Sequence, residues 1–239
     1  MKSSDASALA GRVILVTRPR EQASGLARAI EAAGGRAELF PAIEIQDLPP
    51  PGLLARLPEF DLAIFVSPTA VAKAMAQARA LPALVAAVGA GTRRELERHG
   101  VRHVIAPSAG ADSEALLAEL GDVAGKRIAI VRGEGGRALL GDTLRSRGAS
   151  VAYAECYRRA RPRGRWQGRA DAITVSSAEG LGNLFEMVDP AVLRAAPLFV
   201  PHQRVAEAAR SRSVREVVVG GTSDEEMLAC LVAYFAAHG

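Results

Sequence analysis

The apolar positions of this chain fall into short runs that are separated by longer amphipathic stretches. Runs such as residues 62–66 and 84–88 have the length of buried strands, and each is followed by a stretch with the helical spacing of apolar side chains. Strands that alternate with helices in this way form parallel sheets, which helices cover on both faces. The pattern therefore predicts an α/β fold.

The predicted elements follow the same order in both halves of the chain. In the first half we expect strands at residues 12–16, 37–45, 62–66, 84–88 and 103–106, and helices at 20–33, 69–79, 92–99 and 113–120, with a short helix after residue 51. In the second half we expect strands at 127–131, 151–157, 172–175, 198–200 and 216–219, and helices at 137–146, 178–187, 203–210 and 224–237.

The two halves also share a sequence pattern. The segment Gly11-Arg-Val-Ile-Leu-Val-Thr-Arg18 recurs 114 positions later as Gly125-Lys-Arg-Ile-Ala-Ile-Val-Arg132. Each copy is interrupted after its second strand, first by Pro49-Pro-Pro51 and then by the basic linker at residues 160–165. We expect two lobes that face one cleft, with hinges at these interruptions. The first piece of each copy is free to pack with the second piece of the other, so repeats and spatial domains need not coincide.

The candidate site follows from the loops after the strands. In parallel α/β sheets, ligands bind beyond the carboxyl ends of the strands, where helix N-termini offer free N–H groups to anions. Six such loops carry glycine, hydroxyl or basic side chains: Thr17-Arg18-Pro19, Ser67-Pro68-Thr69, Gly89-Ala-Gly91-Thr92, Arg132-Gly133-Glu-Gly-Gly-Arg137, Ser176-Ser177 and Pro201-His202-Gln203-Arg204. A single serine, threonine or glycine at such a place is also explained as a helix N-cap.

Charge and composition favour a small anionic ligand. The net charge is +4, and all but three of the 30 basic residues are arginines, whose guanidinium groups bind carboxylates or phosphates in two-point contacts. A GC-rich genome would also explain that bias. Nucleic-acid binding requires a focused basic stripe with stacking aromatic residues, and aromatic residues make up only 4% of the chain. We therefore expect no nucleic-acid partner.

Several other classes of protein are disfavoured. No apolar run approaches the roughly 18 residues of a membrane span. The first ten residues lack the apolar segment of an export signal, so we expect a cytoplasmic protein without a membrane partner. Cys156 and Cys230 have neither disulfide-framework nor zinc-site spacing. The glycine clusters at 89–91 and 133–136 match no complete nucleotide-binding signature, so a nucleotide is disfavoured.

The chain contains no familiar catalytic set. The four histidines show no metal spacing, and no nucleophile elbow or pair of carboxylates is present. Only His202 among the histidines stands at the end of a predicted strand. Tyr153 and Tyr157 lie near the interruption of the second copy. A tyrosine at this place is either a packing residue or a phenolic proton donor.

Taken in order, these motifs resemble the uroporphyrinogen-III synthase family. The matching segments are Val-Thr-Arg-Pro at 16–19, residues 64–71, 87–92, 132–137 and 175–181, and Tyr157-Arg-Arg. The resemblance runs from Gly11 to about Phe235. It implies two flavodoxin-like domains with parallel sheets, one of residues 1–43 plus 160–239 and the other of residues 46–155. Residues 43–46 and 156–160 would form a two-stranded hinge.

The resemblance also implies an activity. Family members close linear hydroxymethylbilane to uroporphyrinogen III, a step of tetrapyrrole (porphyrin and heme) biosynthesis that loses water, inverts ring D and needs no cofactor or metal. The small-molecule substrate carries eight carboxylates, which suits a site of N–H groups, hydroxyls and arginines. We expect a monomer. The alternative is a non-catalytic two-lobed protein that binds a small polyanion.

Site residues are carried over from the family position by position. Tyr157 matches the tyrosine proposed to assist loss of the hydroxyl group. Ser67, Thr92 and Ser176 match hydroxyl positions of the family. Some members have Gly-Pro-Thr-Thr where this chain has Pro201-His-Gln-Arg204, so His202 or Arg204 would replace a threonine contact. The full set of candidate substrate-binding residues is Thr17, Arg18, Ser67, Gly89, Thr92, Arg132, Gly133, Arg137, Ser176, Ser177, His202 and Arg204.

Overall fold

The chain divides into two compact units. The structure, a computed structural model, describes residues 8–49, 51–108, 110, 112–136 and 138–238. Unit 1 consists of Met1–Glu44 and Ala160–Gly239, and unit 2 consists of Ile45–Arg159. Unit 1 is therefore built from both ends of the chain, and unit 2 is built from its middle.

Helices and strands alternate along the described residues. The strands are β1 (Val13–Val16), β2 (Arg36–Leu39), β3 (Glu44–Asp47), β4 (Leu62–Phe65), β5 (Leu84–Ala87), β6 (Val104–Ile105), β7 (Arg127–Gly133), β8 (Ser150–Ala160), β9 (Ala172–Thr174), β10 (Leu198–Val200) and β11 (Val217–Val219). The helices are α1 (Arg20–Ala32), α2 (Gly52–Ala55), α3 (Pro68–Met75), α4 (Ala90–Arg98), α5 (Ser113–Glu119), α6 (Leu139–Ser146), α7 (Ala178–Met187), α8 (Pro190–Ala195), α9 (Gln203–Arg210) and α10 (Asp224–His238), and one 3-10 turn lies at Leu57–Glu59.

The sheet of unit 1 has the strand order β2-β1-β9-β10-β11. Its pairings are parallel, with Ile14 beside both Ala37 and Ala172. When the strands of the unit are numbered along the chain, this is the flavodoxin-like order 2-1-3-4-5. The order changes direction between β1 and β9, which the chain supplies from opposite ends.

The sheet of unit 2 has the order β3-β8-β7-β4-β5-β6. If β7, β8, β4, β5 and β6 are numbered 1 to 5, this sheet has the same order 2-1-3-4-5. Strand β3 is an additional strand at the edge beside β8. The pairings of β7 with β4 and β8, and of β5 with β4 and β6, are parallel. The predicted fold class, α/β with parallel sheets, is confirmed.

Alternate residues of each central strand enter cores on opposite faces of the sheet. In β1, Leu15 packs in the core under α7, α8 and α9, whereas Ile14 and Val16 pack in the core under α1 and α10. In β4, Ala63 and Phe65 pack on the side of α3 and α4, and the neighbouring positions face α5 and α6. Both sheets are thus covered on both faces, as their near-continuous apolar strands predict.

Trp166, the only tryptophan of the sequence, is anchored in unit 1. It is 8% exposed and packs in the core that contains Leu15, and its indole Nε1 donates a hydrogen bond of 2.7 Å to Glu38 Oε1. A Cβ at Gly168 would lie 2.7 Å from the indole ring, so the backbone approaches the ring closely there.

The predicted second strand at residues 37–45 is wrong as a single element. The chain forms β2, leaves that strand at Phe40 and begins β3 at Glu44. Pro41 has no amide hydrogen and cannot extend a ladder. The amides of Phe40 and Ala42 still donate to the carbonyls of Val16, the last residue of β1, and of Thr17, which follows it. The strand therefore breaks where the chain leaves the first sheet for the second.

Three further differences are local. Strand β7 extends to Gly133 and β8 to Ala160, so Arg132 and Tyr157 lie inside strands and Gly133 is the last residue of β7. Helix α8 was not predicted, although Asp189 and Pro190 are typical of a helix start: the Asp189 carboxylate accepts a hydrogen bond of 2.8 Å from Ala191 N. Helix α3 ends at Met75, before the predicted end at residue 79.

A β-bulge interrupts the pairing of β7 with β8. Arg132 is opposite Glu155, but the next residue, Gly133, is opposite Tyr157. Cys156 is the extra residue. Ala154, Cys156 and Tyr157 consequently all enter the core on the α3 side, although alternation alone would turn Tyr157 to the opposite face.

The bulge predicts an unreactive thiol. Cys156 is fully buried, and burial raises the pKa of its thiol from 9.0 to about 11. We expect iodoacetamide at about pH 8 to modify Cys230, which is half-buried, well before Cys156, because only the thiolate reacts. Mass spectrometry of the native and the unfolded protein measures this difference. Rapid alkylation of Cys156 in the native protein would contradict the placement of the bulge.

The same thiol makes stability depend on pH. The folded state favours the neutral thiol, so its stabilising contribution is complete below the unfolded pKa of about 9 and is lost as pH rises towards 11. We expect the free energy of unfolding to fall more between pH 8 and 10.5 in the wild type than in Cys156→Ala, by roughly 1 to 2 kcal/mol. Equal losses in the two proteins would show that the thiol ionises freely in the folded state.

Candidate functional site

Each unit has its own candidate site at the point where its strand order reverses. That point lies between β1 and β9 in unit 1 and between β7 and β4 in unit 2. Loops after adjacent strands run in opposite directions there and leave a crevice at the carboxyl end of the sheet, where open α/β sheets bind ligands.

In unit 1 this crevice is a cavity of about 220 Å³. Three of the predicted site residues, Arg18, Ser176 and His202, line it together. They come from the loops after β1, β9 and β10, which the parallel sheet brings to one edge. The remaining lining residues are Gln22, Thr174, Val175, Pro201, Thr222 and Met227.

The cationic group of this cavity is already paired with a carboxylate. Arg18 Nη1 donates to Asp224 Oδ1 in the first turn of α10, and the Arg18 side chain is only 14% exposed. The start of α10 is fixed by a reciprocal cap: Ser223 Oγ accepts from Glu226 N, and the Glu226 carboxylate accepts from the amides of Thr222 and Ser223. These hydrogen bonds lower the pKa of Glu226, and the bond from the Ser223 amide has the largest effect.

Three predicted residues of unit 1 lie beside the cavity without lining it. The hydroxyl of Thr17 is buried and donates a hydrogen bond of 2.6 Å to the carbonyl of Thr174, which ties β1 to β9. Ser177 Oγ caps α7 by accepting from Gly180 N at 3.0 Å. Arg204 is exposed in the first turn of α9. Their contribution to ligand binding stays a prediction.

Three polar residues of the cavity were not predicted from the sequence: Thr174 at the end of β9, Thr222 and Gln22. Thr222 belongs to the Gly220-Gly-Thr-Ser223 loop after β11, so the rule that selected the other strand-end loops could also have selected it. Gln22 is in the first turn of α1, and no local signal distinguishes it from other exposed helix residues.

In unit 2 the structure brings together Ser67, Gly133 and Tyr157. Tyr157 is 3% exposed, and its phenol oxygen lies 3.1 Å from Ser67 Oγ. Ser67 is also the N-cap of α3, where its Oγ accepts a hydrogen bond of 3.0 Å from Ala70 N. The two hydroxyls therefore form a fixed pair at the reversal point of the sheet.

Glycine is required opposite the tyrosine ring. A Cβ at Gly133 would lie 2.8 Å from two carbons of the Tyr157 ring, closer than real contacts allow. The amide of Glu134 donates a hydrogen bond of 2.7 Å to the carbonyl of Tyr157 and holds the strand against this glycine. The bulge at Cys156 and the absence of a side chain at Gly133 together determine the position of the Tyr157 phenol.

Arg132 lies on the opposite face of the same strands. Its guanidinium donates to Glu155 Oε1 at 2.8 Å and to the carbonyl of Gly136 at 3.1 Å, and it stacks 3.8 Å above the ring centroid of Tyr153. The arginine therefore orders the turn at 134–136. Arg137, another predicted site residue, lies outside the described residues.

The loop after β5 supplies the remaining predicted residues. Gly89 is the N-cap of α4, and Thr92 is 4% exposed in the first turn of that helix. A Cβ at Gly91 would meet Pro68 of α3 at 3.8 Å, an ordinary contact. The starts of α3 and α4 thus lie side by side in unit 2. A role for Gly89 and Thr92 in substrate binding stays a prediction.

The duplication gives some features of one site a counterpart in the other. Ser67 and Ser177 are both helix N-caps with almost the same backbone angles. The repeat of 114 positions relates Tyr157 to Ile43, and Ile43 lies near Gly180, close to the Ser177 cap. Unit 2 has a phenol where unit 1 has an aliphatic side chain, so the two sites share a scaffold and differ in chemistry.

Two kinds of feature are absent from the described part of the chain. Within it, no group of three or more histidine, cysteine, aspartate or glutamate side chains is arranged to hold a metal ion. None of its helices has the length and apolar character needed to cross a bilayer.

Comparison with known proteins identifies the family. The family model described as uroporphyrinogen-III synthase HemD matches residues 24–229, which is most of the chain. This chain belongs to the uroporphyrinogen-III synthase family. The resemblance found in the ordered motifs of the sequence is thereby confirmed.

Individual relatives agree with this assignment. The uroporphyrinogen-III synthase of Escherichia coli is 36% identical, with 90% of this chain and 97% of that protein covered. Two solved structures have the same fold. Uroporphyrinogen-III synthetase from Helicobacter pylori has a TM-score of 0.65 at 13% identity, covering 93% of this chain and 99% of its own. A mutant uroporphyrinogen III synthase from Thermus thermophilus has a TM-score of 0.62 at 19% identity, covering 96% and 100%.

The close approach at Gly133 predicts a sensitive position in this family member. We expect Gly133→Ala to displace Tyr157, to separate its phenol from Ser67 and to lower the free energy of unfolding by about 1 to 3 kcal/mol, the usual cost of overpacking. Gly91→Ala is the matched control, because its new methyl group meets Pro68 at an ordinary distance. Chemical denaturation measures both. Equal stability of the two variants would refute the close packing of Gly133 on the ring.

Proposed function

We propose that this protein closes linear hydroxymethylbilane to uroporphyrinogen III. The hydroxyl group of ring A leaves with a proton as water, and the lone pair of the ring A pyrrole nitrogen drives its departure. The ring A carbon that lost the hydroxyl group then bonds to the substituted carbon of ring D, which gives a spiro intermediate. The bond from that carbon to the methylene bridge of ring C breaks and re-forms at the unsubstituted α carbon of ring D, which loses its proton, so ring D emerges inverted. Closure without an enzyme gives the type I isomer, so the protein has to position ring D as well as promote loss of water.

The single observation that carries the chemical part of this proposal is the Tyr157–Ser67 pair. Ser67 Oγ already accepts a hydrogen bond from the α3 backbone, and its own proton is free to be donated to the phenol oxygen. The Tyr157 O–H then remains available to the leaving hydroxyl group. Tyr157 therefore acts as the proton donor, and Ser67 holds its phenol in position.

The substrate's carboxylates supply the handles for positioning. The cavity of unit 1 offers the Arg18 guanidinium, the Ser176 hydroxyl and the His202 imidazole in one place, and none of the described residues that line it carries a carboxylate. A guanidinium beside neutral donors suits an acetate or propionate side chain. We propose that this cavity binds one such side chain, and that Gly89, Thr92 and the Gly133 loop serve others.

We further propose that the protein works as a monomer in the cytoplasm, as the sequence predicts. The duplication already supplies two sites within one chain, so the proposal requires no second copy. Size-exclusion chromatography with light scattering tests the monomer.

The activity has a direct test. We expect the purified protein, given freshly prepared hydroxymethylbilane, to produce the type III isomer as its main product, because the site fixes the orientation of ring D. Chromatography of the oxidised products separates the isomers. A reaction without enzyme is the control, and it gives type I. Only type I in both reactions would reject the proposed function and would favour a non-catalytic polyanion-binding protein.

The role of the phenol is tested by Tyr157→Phe. We expect kcat to fall by about 100-fold, since a positioned proton donor contributes roughly 10² to 10⁴ to a rate. The free energy of unfolding should change by only about 1 kcal/mol, because one hydrogen bond is lost and the ring remains. Turnover at the wild-type rate would remove Tyr157 from the chemistry.

The two serine N-caps, Ser67 and Ser177, allow the effect of Ser67 on catalysis to be distinguished from its effect on stability. Ser67→Ala and Ser177→Ala each remove an N-cap, and each is expected to cost about 1 kcal/mol of stability. Only Ser67 also contacts the phenol. We therefore expect Ser67→Ala to lower kcat several-fold more than Ser177→Ala at similar stability. Equal kcat values in the two variants would show that Ser67 only caps its helix.

A further inference from the structure

We propose that Asp224 is a positioning residue that holds Arg18 ready for a substrate carboxylate. The proposal rests on the proposed function, because it assigns a substrate carboxylate to the cavity of unit 1. Arg18 lines that cavity, and its Nη1 donates to Asp224 Oδ1. Asp224 contacts this arginine but is not among the residues that line the cavity.

The geometry leaves part of the guanidinium for a ligand. A guanidinium has five N–H donors in a planar fork, and the structure shows one nitrogen engaged by Asp224. An arginine that is only 14% exposed needs a fixed partner, because a buried, unpaired charge is costly. The carboxylate of Asp224 meets this need and limits the rotamers of a long side chain. The ligand then binds an arginine that is already ordered.

The opposite helix is built around this ion pair. Gly25 lies inside α1, and a Cβ at that position would overlap the Asp224 carboxylate. Glycine inside a helix costs about 0.5–1 kcal/mol relative to alanine. Helix α1 has this destabilising glycine at the position where the Asp224 carboxylate comes closest to it. The ion pair and the glycine are independent observations, and both favour a fixed place for Asp224.

The start of α10 adds rigidity to the same carboxylate. Ser223 and Glu226 cap that helix on either side of Asp224 in the sequence. The Asp224 backbone is therefore fixed independently of its ion pair. An arginine held by a fixed aspartate is expected to strengthen binding and to leave the chemical step unchanged, since Tyr157 lies in the other unit.

Three variants test the inference. Asp224→Asn keeps the shape and removes the charge, and we expect KM for hydroxymethylbilane to rise about tenfold with kcat within about twofold, the loss of one charge-assisted contact. Gly25→Ala pushes the carboxylate away from Arg18 and should raise KM by a similar factor. Gly182→Ala is the matched control: it adds a methyl group inside α7 of the same unit, at ordinary distances of 3.7 Å or more.

A purely structural role predicts a different result. If Asp224 only stabilised α10, Asp224→Asn would lower the melting temperature and leave KM unchanged, and Gly25→Ala would behave like Gly182→Ala. Our inference also predicts that the double variant Asp224→Asn/Gly25→Ala is no worse in KM than either single variant, because both changes remove one contact. An unchanged or lowered KM in Asp224→Asn, or additive effects in the double variant, would overturn it.

Binding without turnover separates this inference from the proposed function. Uroporphyrin III, the stable oxidised octacarboxylate, serves as the probe, and quenching of Trp166 fluorescence gives its Kd. We expect the same roughly tenfold weakening in Asp224→Asn and Gly25→Ala, but not in Gly182→Ala. If the wild type makes no type III isomer, the proposed function fails, and these Kd values still decide the role of Asp224. Type III formation with equal Kd values in all four proteins rejects the inference and leaves the proposed function intact.

Discussion

Parallel pairing between strands that are distant in sequence is the constraint on which this molecule depends. In unit 1, β1 pairs with β9, and the Val13 amide donates to Asp171, 158 positions away. In unit 2, β4 pairs with β7, and Asp61 accepts from the Arg127 amide across 66 positions. Each pairing joins a strand from one sequence repeat to a strand from the other. Each candidate site lies at such a junction, so it forms only when both repeats have assembled.

The shared scaffold has been adapted to two kinds of chemistry. The repeat places arginine at both 18 and 132, and a carboxylate pairs with each: Asp224 with the first and Glu155 with the second. The serine caps are equally symmetric. The difference lies at the ends of the second strands, where Pro41 breaks one strand and a bulge at Cys156 re-aims the other. The broken second strand of unit 1 and the bulged second strand of unit 2 therefore accompany the difference between a polar cavity and a phenol–serine pair.

The sequence predicted the fold class because both layers of the fold leave a local pattern. Apolar runs and amphipathic stretches identify strands and helices without reference to distant contacts, and the strand-end rule then selects Arg18, Ser67 and Ser176. The break at Pro41 is visible in the sequence only after the fold is known, since a proline also occurs at strand edges. The bulge has no local signal, because it arises from the register between β7 and β8.

Most of the site residues that escaped prediction have no local signal in the sequence, whereas Thr222 follows a strand in the same way as the residues that were predicted. Asp224 is 206 positions from Arg18, and its sequence context is that of an ordinary acidic helix start. Gln22 has an equally ordinary context. Gly25 looks like a weak point of a helix until the neighbouring carboxylate is known, and Gly133, although it is a predicted site residue, gives no sign in the sequence of its packing on the Tyr157 ring. Local periodicity identifies elements, whereas pairs across a sheet or between helices require coordinates.

Trp166, the only tryptophan of the sequence, is buried in unit 1, so the tryptophan fluorescence of this protein reports on unit 1 alone. Trp166 lies against Glu38 and the core of unit 1, and unit 2 contains no tryptophan in its sequence. Fluorescence follows the loss of structure in the first unit directly, whereas far-ultraviolet circular dichroism records helices of both. Coincident transitions by the two methods would mean that the interleaved repeats melt as one cooperative body, and separated transitions would mean that each sheet holds together without the other.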